Sequence, residues 1–102
     1  MNDHQDYTNT VKLIDQVPVD EHYSESVQQQ IETHKTLARK LANRVYRQTK
    51  TDQLTLCLEI IRSHLPPNSN PAASIPEAIR IWSFCEDYAQ RKLQQFNMEN
   101  FS

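Results

Sequence analysis

The chain has 102 residues, 37% of them hydrophobic, with 11 Lys+Arg against 13 Asp+Glu and no glycine at all. A length near 100 residues fits one domain with one modest core, and without glycine the phosphate-cradling loops and dinucleotide-binding turns that need positive φ or very close backbone approach have no residue to build them. The net charge of −2 argues against a protein that coats nucleic acid over its whole surface; no run of 18 apolar residues occurs, and the acidic, polar first 20 residues are unlike a secretory signal, so a cytoplasmic protein is expected.

Residues 1–23 form an acidic N-terminal segment. Tyr7, Val11 and Ile14 suggest a short helix, yet Val11, Leu13, Val17 and Val19 around Pro18 fit an extended chain equally well. The expectation is a weak N-terminal helix, partly irregular, leading into a helical bundle domain over 24–102. Ser24 or Ser26 can cap the first long helix, whose stripe Val27, Ile31, His34, Ala38, Leu41, Val45 runs at steps of three and four for about 25 residues. Asp52 opens the second, over about 52 to 65, where Leu54, Cys57, Leu58, Ile61 and Leu65 share a face and Pro66-Pro67 ends it. Ser74 and Glu77 make a capping box for the third, with Pro76 in its first turn and the stripe Ile75, Ala78, Ile79, Trp82, Cys85, Ala89, Leu93, Phe96 carrying it to about residue 97. The turn-rich segment 66–74 implies that the last two helices pack antiparallel; a fold-back near Asn70 sets Cys57 and Cys85 at similar heights. The fold class is therefore all-α: a small antiparallel bundle of three long helices plus a weak N-terminal one.

Charge is segregated along this chain. Residues 1–32 carry seven acids and one base, whereas residues 33–51 carry Lys35, Arg39, Lys40, Arg44, Arg47 and Lys50 with no acid. At about 100° per residue these six cations spread over half of the helix, opposite its apolar stripe, and their place toward the C-terminal half also complements the helix dipole. The basic face has three readings: a solvated surface, a dock for an acidic protein, or a contact to phosphates. An acidic N-terminal third folded over it would neutralise it internally. Sequence recognition of nucleic acid needs polar groups or aromatics close by, and only Asn43 and Tyr46 are available.

The last two helices carry more apolar surface than one stripe requires. Leu56 and Ile60 stand at i and i+4 away from the Leu54/Leu58/Ile61 face, and Ile81, Phe84 and Tyr88 form a second series at steps of three and four. Either the N-terminal segment covers these faces or a partner does; an isologous homodimer is the simplest closed arrangement.

Catalytic chemistry finds no constellation. Cys57 and Cys85 lie on inward stripes as reduced structural thiols, the acid pairs Asp20-Glu21 and Glu86-Asp87 diverge on a helix, and His4, His22, His34 and His64 are too scattered for a metal. His34-Lys35 resembles the reactive dipeptide of phosphorelay transfer modules, which implies phosphotransfer by an exposed His34; the place of His34 within the apolar stripe assigns it to the core instead. The expectation is a non-enzymatic adaptor, inhibitor or assembly subunit without cofactor or metal, self-associating and off the membrane. It binds an acidic protein surface through Lys35, Arg39, Lys40, Arg44, Arg47 and Lys50 and docks through Leu56, Ile60, Ile81, Phe84 and Tyr88. The alternative is a nucleic-acid-binding accessory subunit holding phosphates on the same basic helix.

Overall fold

The structure, a computed structural model, describes residues 3–66 and 75–101. Four helices make up this all-α bundle: α1 Asp3–Gln16, α2 Glu25–Arg47, α3 Thr51–Arg62 and α4 Pro76–Phe101. Of the two candidate caps, Ser24 is the one that caps α2, its hydroxyl accepting the Val27 N–H at 3.3 Å. α3 stops at Arg62, three residues short of the expected end; the His64 and Leu65 amides bond back three residues to Ile61 and Arg62, a tighter winding that leads into Pro66. Of the capping box, Ser74 lies outside the described residues, as do 67–74 of the expected turn and the fold-back at Asn70. α4 runs past residue 97, to Phe101.

Cross-helix pairs fix the topology. Asp15 meets Arg39 while Tyr7 meets Asn43, so α1 and α2 are antiparallel. His64 meets Trp82 and Arg62 meets Glu86, so α3 and α4 are antiparallel as expected. α2 and α4 advance together, Trp82 with His34, Cys85 with Ala38, Lys92 with Val45, and are parallel. The result is an up-down-up-down bundle in which α1 and α3 each pack against both α2 and α4.

The bundle is flattened, with Cα extents of 51 × 26 × 16 Å. Small residues line the seam between α2 and α4: Ala38 and Ala42 on α2 and Cys85 and Ala89 on α4 are buried, and the Cys85 thiol reaches the Ala38 carbonyl at 3.6 Å. Around this seam Ile14, Ile31, Val45, Leu54, Ile61, Ile81 and Trp82 complete one core. Both thiols are free and buried, and burial pushes Cys85 up to about 12. They are not level as the fold-back at Asn70 implied: the α3–α4 register places them about one helical turn apart.

α1 is a well-formed helix of 14 residues whose inward face carries Asp6, Thr10 and Ile14, with Val17 just beyond its end. It covers the second face of α4. Ile81 and Tyr88, expected to project as a docking series, are enclosed within the chain, and only Phe84 of that series stays half-buried, beside Leu13 and Val17. The Tyr7 ring lies 6.2 Å from that of Tyr88, whose hydroxyl donates to Asp3 at 3.0 Å.

Candidate functional surface on α2 and α3

The helix ends explain where the cations go. A helix leaves its last carbonyls without partners, and in most proteins a glycine in the left-handed region helps to satisfy them. This chain has none, and lysines reach in from neighbouring helices instead. Lys92 of α4, 5% exposed, donates to the Val45 and Tyr46 carbonyls at the end of α2 at 2.8 and 2.6 Å and to Asp3 at 3.0 Å. Lys35 of α2, 6% exposed, donates to the Asp15 carbonyl at the end of α1 at 3.2 Å. Each cation thereby sits at the negative end of another helix's dipole.

The six predicted basic positions divide accordingly. Lys35 is an internal cap rather than part of an outer face, and Arg39 is paired with Asp15. Lys40, Arg44, Arg47 and Lys50 are exposed and form no ion pair among the described residues. The acids of α1 do not reach them: Asp15 goes to Arg39, Asp6 holds Arg91 with two bonds at 2.8 and 3.1 Å, and Asp3 holds Tyr88 and Lys92. Lys40, Arg44 and Arg47 fall within about 60° of one another on α2 and make a stripe aimed at solvent.

Exposed aliphatic side chains accompany that stripe. Leu37 is 39% exposed, Ile60 41% and Leu56 52%. On α2 the flank toward α1 is marked by Arg39, Asn43 and Tyr46, all bonded or stacked to it, so Leu37 and Arg44 lie on the opposite flank, toward α3. On α3, Arg62 marks the flank toward α4; Ile60 lies on the flank away from it, toward α2, and Leu56, about 40° further round, faces solvent. The antiparallel α2–α3 hairpin puts Leu37 at the height of Ile60, and Arg44 is near enough to α3 to act on the Cys57 thiol, though burial dominates and raises that thiol. The surface is thus a mixed one, aliphatic on the α2–α3 seam with cations along its edge. Sequence spacing sets Leu37 with Ala38 next along the apolar stripe after His34; the structure buries Ala38 and exposes Leu37, two turns before Arg44 on the same line of the helix.

The two polar residues available for reading bases turn elsewhere. Asn43 donates to the Tyr7 hydroxyl at 3.1 Å, and Tyr46 stacks on Tyr7 with ring centroids 4.7 Å apart and takes Lys92 over its face at 5.5 Å. His34 is half-buried and accepts from the Trp82 indole N–H at 3.0 Å. A groove of about 630 Å³ runs along the N-terminal half of α2 between Val19, Glu25, Gln28, Gln29, Glu32 and Thr33; its lining carries two carboxylates and no cation, opposite in charge to the basic stripe further along. Among the described residues no three His, Cys, Asp or Glu side chains group as a metal site, and no helix is long and apolar enough to cross a membrane. Set beside known protein families, curated proteins and solved structures, the chain matches none of them.

Proposed function

We propose that this protein is a cytoplasmic, non-enzymatic binding subunit whose outer α2–α3 surface takes an acidic, amphipathic segment of another protein. The observation that carries the reading is the coincidence of Lys40, Arg44 and Arg47, exposed and without an ion pair among the described residues, with Leu37, Leu56 and Ile60, aliphatic and exposed, on one side of one hairpin. Aliphatic contacts supply the desolvated centre of such an interface and the cations its polar edge, where they set orientation and association rate more than affinity. Self-association through α4 loses its support, because Ile81 and Tyr88 are enclosed. The nucleic-acid reading keeps its phosphate contacts but loses Asn43 and Tyr46, which α1 occupies.

Immobilised wild-type protein, Lys40→Glu/Arg44→Glu/Arg47→Glu and Leu56→Asp/Ile60→Asp are compared for what they retain from a cell lysate, with and without nuclease. Retained protein that survives nuclease and is lost in both variants is the expected result. Retained nucleic acid that is lost only in the charge variant, with affinity falling linearly in log–log terms as salt rises, supports the alternative.

A further inference from the structure

Three helices meet at one cluster of rings. His34 of α2 receives the indole N–H of Trp82 from α4 at 3.0 Å, and His64, just past the end of α3, lies flat on the same indole, with centroids 4.0 Å apart and planes 5° apart. His34 stands edge-on to that indole at 86°. An indole N–H only donates, so Nδ1 of His34 must be the unprotonated acceptor and its proton sits on Nε2. A second proton on the ring turns Nδ1 into a donor facing a donor, and the bond is lost.

We infer that His34, Trp82 and His64 form an acid-opened latch: with His34 neutral the indole ties α2 to α4 and carries α3 through the His64 stack, and protonation of His34 releases that tie. Among the described residues no acid acts on this cluster to favour the charged ring. On the α1 side Asp15 is taken by Arg39, and its carbonyl holds Lys35, which follows His34 in sequence but turns toward α1. On the other flank Arg62 of α3 and Glu86 of α4 neutralise each other. The Cys85 thiol of α4, one turn from Trp82, keeps its proton and bonds Ala38, and Cys57 of α3 is buried with its proton held. What remains facing His34 is His64, a like charge once both are protonated.

Burial first, and His64 second, hold His34 below its ordinary value of 6.5, and burial holds His64 below its own. A ring that gives up its proton more readily when folded stabilises the fold fully above pH 6.5, and that contribution falls as pH drops from there through the lowered folded value. A protonated His64 keeps a cation–π contact to the indole, so loss of the His34 bond is the event that opens the latch. Leu37 lies three residues after His34 and Ile60 four before His64, which makes the latch a support for the surface proposed above, though the latch itself does not depend on that reading.

Trp82 is the chain's one tryptophan, so its indole N–H gives a single NMR signal. Followed from pH 8 to 5 in the wild-type protein, the signal is expected to move from its hydrogen-bonded position with a midpoint below 6.5 that coincides with the ring titration of His34. In His34→Asn, whose side-chain oxygen stands where Nδ1 was, the signal is expected to stay in place across the range. In His64→Phe, which keeps a stacked ring, the transition survives with its midpoint moved up toward 6.5. A wild-type signal that does not move, or one whose midpoint follows His64 and not His34, overturns the latch. Both of those readings come from the wild-type protein alone and stand whether or not the variants fold.

Discussion

α1 and α3 do the same job on opposite sides of the α2–α4 pair and do it with different chemistry. α3 packs with Leu54, Cys57, Leu58 and Ile61, an aliphatic face, and keeps Leu56 and Ile60 in the open. α1 packs with Ile14 but also with Asp6 and Thr10, whose hydroxyl bonds the Asp6 carbonyl at 2.8 Å, and its Asp3 reaches Tyr88 and Lys92. The register of α3 is marked at its C-terminal end alone, by Arg62 on Glu86 and His64 on Trp82, while its buried face is held by packing. The polar helix has one register only, since each buried donor and acceptor needs its own counterpart. α1 thus fixes position and is spent internally, while α3 adds apolar burial and leaves surface available.

The largest expected effects test whether the two flanks are equal members of the core. Ile14→Ala and Ile61→Ala each remove a fully buried side chain and should each cost about 2–5 kcal/mol in urea unfolding. An Ile14→Ala cost several-fold smaller than that of Ile61→Ala would break the comparison and make α1 an appendage. Next comes the clamp: Lys92→Met keeps the stem and removes the ammonium from two carbonyls and Asp3, with an expected loss of about 2–3 kcal/mol, moderated because Asp3 can rehydrate. Its sharper signature is faster amide exchange over residues 3–16, and unchanged exchange there would remove Lys92 from its role in holding α1. The smallest effect belongs to the outer surface of α3, where Leu56→Ser and Ile60→Ser should each change stability by no more than about 0.5 kcal/mol. A larger loss would mean that these side chains serve the fold rather than a partner.

Much of the fold was legible because α2, α3 and α4 bury apolar side chains at helical spacing and begin or end at recognisable caps and prolines. α1 was harder to read for a physical reason: two of its three buried residues are Asp6 and Thr10, so a search for apolar period finds only Tyr7, Val11 and Ile14. That one ambiguity propagated. With α1 left as a weak segment, Ile81 and Tyr88 read as surplus surface and Lys35 as part of a basic face, although α1 encloses the first two and takes the third as its cap. Leu56 and Ile60 read correctly as exposed, since no later element returns to cover that side of α3 among the described residues.

The sequence by itself determined the three helices after residue 24, the turn-rich break between α3 and α4 and the concentration of positive charge in α2, all of which follow from local spacing and composition. The tertiary structure alone decided which charges are used up. Whether a lysine caps a foreign helix or faces water depends on which carbonyl ends lie within reach of its stem, and that is set by the parallel α2–α4 register and the α1 clamp, contacts between residues some 20 to 90 positions apart.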